Sequence, residues 1–355
     1  MTQKSDTSTG RFRTALTVFV VAALVFGAGC TGALTGGGGS GGAAPATDSV
    51  PANVDAIAYV DVSGAMNDNT LRDVTNTYLS LQAERSFGDP PSSVEEAVSQ
   101  IENNTELDVD GLDAVTMFAR TGEGQLGQGA AASDYGGIIV QSSWSESELV
   151  SAIENSSGSD LQESTYAGST IYQSGSDDSY LGVLGDGSFV IGSEAAVRDA
   201  LDVAAGNADA VSGDLVSAFE DTRDGYVRFA VTVKQGQVPT EQLGQTGAIS
   251  NANIFNEVQV VSGAQYVSGD QIGMELTMTV PDEDTALNLR DVLRGAASWG
   301  RNTLNQSDSG SKFAGLIDRD SLSIEQSGSD VTVVSENSAE EIKSLIQTAY
   351  SAGAA

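Results

Sequence analysis

The chain has 355 residues, of which 49 are acidic and 16 basic, so its formal net charge is −33; it contains no histidine and one cysteine. The missing histidine excludes Ser-His-Asp and Cys-His catalysis and His-containing zinc sites, and one cysteine excludes an internal disulfide or a cysteine-ligated cluster. The negative charge opposes sequence-independent binding of nucleic acid, so we expect no nucleic-acid partner. The sequence contains no complete metal-binding or cofactor-binding motif, so we expect no metal site and no cofactor.

The first 29 residues have the layout of a secretory signal peptide. Three basic residues precede an apolar run at 15–26, and small residues follow at 27–29. The basic residues are Lys4, Arg11 and Arg13. Because the apolar run is shorter than the ~20 residues that a spanning helix needs, the pattern predicts an export signal at 1–29.

Cys30 follows these small residues directly. Small residues before a lone cysteine, at the end of an apolar run, resemble the lipobox of exported lipoproteins. In that family the cysteine is lipidated and becomes the first residue of the mature protein, which implies lipidation at Cys30. The alternative is an uncleaved signal anchor with an unmodified Cys30. Both interpretations place the remainder outside the cell, held at the outer face of the membrane.

Residues 30–50 are predicted to be a tether. They contain a Gly/Ser-rich stretch at 36–42, and such sequence behaves as a flexible coil. The regular patterning of a folded body begins at about residue 51.

The first predicted unit covers residues 51–210. Alternation of apolar residues predicts strands, and apolar residues three and four apart predict helices. Ser145 and Glu148 have the spacing of a capping box at a helix start. The predicted strands are 56–62, 114–119, 137–141, 169–173, 180–184 and 188–191, and the predicted helices are 71–83, 92–102, one from Ser145 and one from Ser193.

The second predicted unit covers residues 211–355 and repeats the order strand, helix, hairpin, helix, hairpin, helix. A second capping box is formed by Ser338 and Glu341. The predicted strands are 226–233, 257–267, 271–280, 321–325 and 330–335, and the predicted helices are a weak one at 240–243, one from Pro281 and one from Ser338. The fold class is therefore predicted as α+β, with two similar units of antiparallel sheet backed by helices, and we hypothesise an internal duplication.

The acidity itself has three interpretations: disorder, a surface for a cationic partner, or adaptation to high salt. The apolar content of 40% and the periodic segments argue against disorder. Only four of the 16 basic residues are Lys. Low Lys beside abundant Asp and Glu is similar to proteins of salt-loving archaea, whose surface charges are screened by their solvent.

Three sequons are candidate N-glycosylation sites: Asn103, Asn155 and Asn305. The acidic segment 108–113 resembles part of a calcium loop, but Met117 stands where the loop requires Glu, so we predict a polar loop leading into a strand.

The signal, Cys30, the Gly-rich tether, the acidic composition and the phrase LGDGSFVIGSEAAVR at 184–198 together resemble exported lipoproteins of haloarchaea. The resemblance implies no catalytic motif. We therefore expect a non-enzymatic, membrane-anchored extracytoplasmic lipoprotein that binds an envelope protein or a small ligand, or has a structural role in the envelope. The alternatives are a solute-binding lipoprotein of a transporter and a carboxylate-dependent hydrolase.

Replacing the cysteine tests the anchor. The wild-type protein is expected to begin at Cys30 and to carry a lipid, whereas Cys30→Ser lacks the lipid and Thr31→Ser keeps it. Mass spectrometry of the intact protein, isolated from the membrane fraction, measures both features. A wild-type protein that retains residues 1–29 without a lipid would support the uncleaved anchor instead.

Overall fold

The computed structural model describes residues 43–85, 88–122, 132–174, 179–238, 240, 251–306 and 321–352. The predicted signal peptide, Cys30 and most of the weak helix at 240–243 lie outside these residues. The strands are β1 (Ala56–Asp61), β2 (Leu112–Thr121), β3 (Ala132–Ser142), β4 (Leu161–Tyr166), β5 (Ser169–Ser174), β6 (Ser179–Gly185), β7 (Ser188–Ser193), β8 (Val227–Thr232), β9 (Val260–Ser268), β10 (Gln271–Thr279), β11 (Leu322–Ser327) and β12 (Asp330–Ser338). The helices are α1 (Val62–Asn67), α2 (Asn69–Ala83), α3 (Val94–Thr105), α4 (Glu146–Ser157), α5 (Glu194–Ala204), α6 (Asp214–Glu220), α7 (Glu283–Leu304) and α8 (Ala339–Ala352).

All of these strands belong to one antiparallel sheet, in the order β11-β12-β10-β9-β8-β1-β2-β3-β7-β6-β5-β4. The first and second halves of the chain meet at the pair β1–β8, whose register runs from Ala56 opposite Val231 to Val60 opposite Val227. An antiparallel sheet with helices packed on it confirms the predicted α+β class.

The strand order repeats between the halves. In the first half the order is β1-β2-β3-β7-β6, and in the second half it is β8-β9-β10-β12-β11. The hairpin β4–β5 is an addition at the edge of the first half. In both halves a helix, α4 or α7, follows the first hairpin. The internal duplication that would explain this repeat remains a hypothesis.

One face of the sheet, here called the α5 face, packs against α5 and α6. Its core includes Ile57, Phe118 and Val190 from the strands and Leu201 and Phe219 from the two helices, all at most 3% exposed. Side chains alternate between the two faces along each strand, so these strand residues come from alternate positions.

The opposite face, here called the α4 face, packs against α4 in the first half. Val60, Val140 and Phe189 lie there under Leu149 and Ile153 of the helix. In the second half, the strand register places α7 and α8 on this same α4 face of the sheet. Met278 and Val331 pack with Leu289 of α7, while Ile272 packs with Ile342 of α8 and Val74 of α2.

The helix after the last hairpin lies on different faces in the two halves. In the first half α5 covers the α5 face, whereas in the second half α8 lies on the α4 face beside α2. On the α5 face of the second half, β10 and β12 present polar side chains. Thr277 Oγ1 and Thr332 Oγ1 are 3.0 Å apart, and Thr279 Oγ1 donates to Asp330 at 2.7 Å.

The last part of the predicted tether packs against this body. Val50 is fully buried, and its carbonyl accepts a hydrogen bond from Val211 N at 2.8 Å. Ala46 N donates to Thr116 Oγ1 at 3.1 Å, and Tyr59 OH donates to the carbonyl of Ala43. Residues 43–50 thus cover part of the α5 face.

The sequence patterns missed three elements. Strand β4 has intermediate or exposed side chains throughout, so it shows no apolar alternation. Helices α1 and α6 have six and seven residues, which is too short for a periodic pattern. The capping box of α4 is confirmed, because Ser145 and Glu148 make both of its hydrogen bonds.

Two glycine substitutions test the packing of the sheet. A Cβ at Gly192 in β7 would lie 2.3 Å from the backbone oxygen of Gly136, whereas one at Gly295 in α7 would meet nothing within 4 Å. We expect Gly192→Ala to lower the free energy of unfolding by about 1–3 kcal/mol. The atom that the new Cβ would meet belongs to the backbone of β3, which cannot move aside as a flexible side chain can. Gly295→Ala should raise it by about 0.5–1 kcal/mol by restricting the unfolded chain. Denaturant unfolding at constant molar salt measures both, and equal effects would contradict the packing at β3–β7.

Candidate functional site

A groove of about 590 Å³ lies where the two halves of the chain meet on the α4 face. Helix α2 from the first half forms one wall, and the start of α8 with the β9–β10 turn forms the other. We call it the junction groove. Its charged and amide-bearing lining residues are Asn69, Arg72, Asp73, Asn76, Asp270 and Glu340.

The start of α2 is fixed by Asp68. Its carboxylate caps the helix by accepting from Leu71 N at 2.9 Å, and it also accepts from Tyr226 OH at 3.0 Å. Tyr226 immediately precedes β8 in the second half. One carboxylate therefore holds the groove's first wall to the strand that joins the halves.

The start of α8 is fixed by the predicted capping box. Ser338 N donates to Glu341 Oε2 at 2.9 Å, and Glu341 N donates to Ser338 Oγ at 3.3 Å. Ser338 Oγ also donates to Glu341 Oε2 at 2.7 Å, and this hydrogen bond, followed by that from Ser338 N, lowers the pKa of Glu341, because both favour its charged form. The cap places Glu340 at the mouth of the groove.

Apolar packing closes the groove from below. Val74 of α2, Ile342 of α8 and Ile272 of β10 are each at most 9% exposed. Further along the two helices, the rings of Tyr78 and Tyr350 meet edge to face, with centroids 5.9 Å apart. The two walls therefore form one packed helix pair.

Lys343 links the two walls electrostatically. Its ammonium lies 2.7 Å from Asp73 Oδ2 on α2 and 2.5 Å from Glu340 Oε1 on its own helix. The hydrogen bond to Asp73, followed by that to Glu340, raises the pKa of Lys343. One of the chain's few lysines is thus placed between two carboxylates of the groove.

Arg72 projects from α2 into the same region. Its Nη2 donates to the Met66 carbonyl at 2.6 Å, and its Nε lies 3.6 Å from Glu95 Oε1. Nε is buried and makes no hydrogen bond with the described residues. The groove therefore presents a guanidinium beside carboxylates, amides and hydroxyls, a lining that both donates and accepts hydrogen bonds.

Carboxylates elsewhere are paired in a recurrent way. In three places an arginine stacks on a tyrosine ring and the tyrosine hydroxyl donates a hydrogen bond to a carboxylate. Each of these carboxylates thus has a hydrogen-bond donor that is not a lysine. The sets are Arg120, Tyr135 and Asp199 (3.6 Å to the ring, 2.7 Å to the oxygen), Arg198, Tyr166 and Asp202 (4.6 and 2.7 Å), and Arg223, Tyr266 and Glu336 (4.2 and 2.6 Å).

The candidate glycosylation residues lie on the surface. Asn103 and Asn155 are exposed on the last turns of α3 and α4, and Asn305 is exposed just beyond α7. The hydroxyl of Thr105, the third residue of the first sequon, is bound to the Ile101 carbonyl at 2.8 Å. The structure brings none of the three into the junction groove, and their occupancy remains a prediction.

The segment 108–113, predicted as a polar loop, forms a 3-10 turn at Val109–Gly111 and the first two residues of β2. Asp108 accepts from Asp110 N at 3.0 Å and so caps a 3-10 turn that leads into β2. Trp144 packs against this turn, is 5% exposed and donates to the Asp108 carbonyl at 2.7 Å. Within the described ranges, no group of three or more acidic or cysteine ligands is arranged to hold a metal ion.

Sequence reasoning missed the junction groove. The capping box at Ser338 marked the start of α8, but nothing in the local pattern indicated that α2, about 270 positions away, would lie beside it. Asp73 and Asp270 are two of 49 acids and carry no distinguishing signal. Only the tertiary structure brings them together.

The comparisons with known proteins give limited similarity. No family model matches the chain, and no curated protein matches it. The solved structures to which the chain is similar include crystal forms III, I and IV of TP0453, with TM-scores of 0.45, 0.43 and 0.42 and identities of 14%, 12% and 15%. The matches cover 86%, 87% and 84% of this chain and 98%, 98% and 95% of those chains. Similarity at this level assigns neither a family nor a function.

None of the helices in the described part of the chain combines the length and the apolar character needed to cross a bilayer. The apolar run at 15–26 lies outside that part.

The tyrosine–carboxylate pairs predict a stability that falls at alkaline pH. Burial, followed by the hydrogen bond to Glu336, raises the pKa of Tyr266, and burial likewise raises the pKa of Tyr226. A raised pKa in the folded state means that these tyrosines contribute fully below about pH 10, the unfolded value, and that the contribution is lost as pH rises further. The free energy of unfolding should therefore decline above pH 10, and less steeply in Tyr266→Phe. Denaturant unfolding between pH 8 and 11 measures the slope, and an unchanged slope in the variant would contradict this origin.

Proposed function

We propose that the protein is a non-enzymatic binding module of the cell envelope, held at the outer face of the membrane through Cys30. The junction groove is its binding surface. The observation that carries this proposal is the groove's position and lining: it lies between the two halves and presents donors and acceptors together. Such a lining suits a polar ligand or a polar patch of an envelope protein.

The low Lys content predicts adaptation to high salt, and in high salt a ligand is recognised better by direct hydrogen bonds than by attraction between separated charges. At molar salt the Debye length is about 3 Å, so attraction between separated charges is largely screened. A groove that recognises its ligand through amides, hydroxyls and a guanidinium keeps its selectivity under those conditions. The fixed caps of α2 and α8 support this role, because they hold the lining in place before binding.

The architecture favours this function over transport of a solute. Capture by a solute-binding protein requires two lobes that close on the ligand about a hinge. Here the halves share one sheet through β1–β8, and α2 and α8 form a second connection across the same junction. Both connections would have to shear for the groove to close.

The electrostatics favour binding over carboxylate-dependent hydrolysis. A glycosidase-type general acid needs a carboxyl whose pKa is raised. The carboxyls of Glu96, Glu148, Asp282 and Glu341 lie at helix starts, and hydrogen bonds there lower the pKa of each, which is the opposite of what a general acid needs. These groups act as caps.

Filling the groove tests the proposal. Thr70 lines the groove from α2, whereas Thr303 lies exposed near the end of α7, so Thr70→Trp and Thr303→Trp add the same bulk at different places. We expect the wild type and Thr303→Trp to recover the same partner from envelope extracts at molar salt, and Thr70→Trp to recover at least tenfold less. Circular dichroism checks that both variants fold. Equal recovery by Thr70→Trp, or no partner for the wild type in repeated experiments, would overturn the assignment.

A further inference from the structure

The sheet has two edge strands, β4 and β11, and their outer sides differ. An edge strand presents unpaired N–H and C=O groups with which another chain can form hydrogen bonds. Proteins usually protect such an edge by covering it, or by placing a charged residue, a proline or a β-bulge in the strand. The backbone groups that point away from the sheet therefore show whether an edge is open.

The outer side of β11 is covered by α7. Ser327 and Asp330 pair across a two-residue turn, so the backbone groups of alternate residues, among them Ile324, point outward. The outward carbonyl of Ile324 accepts hydrogen bonds from Nε and Nη2 of Arg294 on α7, at 3.2 and 2.6 Å. A further strand could pair along β11 only by displacing Arg294.

The turn between β4 and β5 fixes which backbone groups of β4 point outward. Ala167 and Gly168 form this two-residue turn with φ values of 50° and 90°, so Tyr166 and Ser169 form the hydrogen-bonded pair that closes the hairpin. Hydrogen-bonded pairs recur at every second residue, so Ser164 also bonds inward to β5. The residues between them point their N–H and C=O groups away from the sheet.

The outward backbone groups of β4 belong to Leu161, Glu163 and Thr165. The Leu161 N–H donates to Glu154 Oε1 of α4 at 2.8 Å, which agrees with its outward direction. Within the described part of the chain, the backbone groups of Glu163 and Thr165 make no hydrogen bond on this side. The strand has no Lys, no Pro and no register shift, so the charge of Glu163 is its remaining protection.

The side chains of β4 indicate which strand fits beside it. The four side chains at 162–165, Gln-Glu-Ser-Thr, are all exposed, so both faces of the strand are polar. An apolar strand added at this edge would leave its own side chains in water, whereas a second β4 strand would not. Among the described strands, the hairpin β4–β5 has no counterpart in the second half, so the repeated strand order does not account for it.

We propose that two copies of the chain pair through their β4 strands, antiparallel and about a twofold axis at Ser164. In this register Glu163 lies opposite Thr165 of the partner subunit, and the two residues exchange backbone N–H···O bonds. The symmetry repeats this pair on the other side of the axis. A register centred on Glu163 would instead place two carboxylates directly opposite each other, which is destabilising.

High salt favours this pairing. Each copy carries a formal net charge of −33, and the Glu163 carboxylates of both copies lie near the axis. At molar salt the Debye length is about 3 Å, so repulsion between the copies is largely screened. The pairing is independent of the proposed function, because the junction groove lies elsewhere, between α2 and the start of α8.

Disulfide cross-linking of the full chain, purified and oxidised at molar KCl, tests the pairing. Opposite residues without mutual hydrogen bonds have Cα atoms about 4.5 Å apart, which a disulfide can span. We expect Ser164→Cys to form a cross-linked dimer of twice the protein's mass. Ser323→Cys is the matched control, because Ser323 is also an exposed serine on an edge strand, the covered β11. This control and the wild type, whose one cysteine is Cys30, should give at least tenfold less dimer.

A second substitution in the Ser164→Cys chain tests the backbone hydrogen bonds. Thr165→Pro removes an outward N–H and leaves the bonds to β5, so it should reduce cross-linking at least tenfold. Thr165→Val keeps the N–H and should cross-link as Ser164→Cys alone does. Circular dichroism checks that both variants fold.

Three results would overturn the proposal. Equal cross-linking of Ser164→Cys and Ser323→Cys, or none in either, would show that β4 makes no specific pair. Undiminished cross-linking in the folded Thr165→Pro variant would show that the backbone groups are not used. Mass spectrometry of the product identifies its components, and an adduct of Ser164→Cys with a different protein would assign the edge to that protein instead of a second copy.

Discussion

The antiparallel pairing of β1 with β8 is the constraint on which the rest of the structure depends. It joins two halves that have the same strand order into one sheet, and it fixes which face of the second half continues the α4 face of the first. Because side chains alternate along a strand, a one-residue slip in this register would turn the core of one half toward solvent. The contact between α2 and α8, and therefore the junction groove, exists only in this register.

A second constraint is the management of charge. Several of the described carboxylates are held by tyrosine hydroxyls, by stacked arginines and by backbone N–H groups at helix starts. Lysine is used sparingly, and the two described lysines both join the halves, Lys234 to Asp55 at 2.6 Å and Lys343 to Asp73 at 2.7 Å. The guanidinium of arginine is less strongly hydrated than the ammonium of lysine, so these pairs place fewer strongly hydrated cations at the surface.

The junction groove follows from the way the halves differ. Helix α5 covers the α5 face of the first half, whereas α8 crosses to the α4 face and meets α2. That displacement forms the junction groove between α2, the start of α8 and the β9–β10 turn. The proposed function depends on this departure from the repeat, because the helix pair that forms the junction groove has no counterpart within the first half.

The sequence by itself determined the α+β class, most strands, the helix starts at Ser145 and Ser338, and the absence of histidine chemistry, because these depend on composition, local periodicity and capping residues. It also predicted the export signal and the role of Cys30, which lie outside the described residues. The tertiary structure alone decided that the halves share one sheet, that residues 43–50 pack against it, and that Asp73, Asp270 and Glu340 line one groove. Those features depend on contacts between positions far apart in the chain, and in a chain with so many acids a local pattern does not distinguish a groove carboxylate from a solvated one.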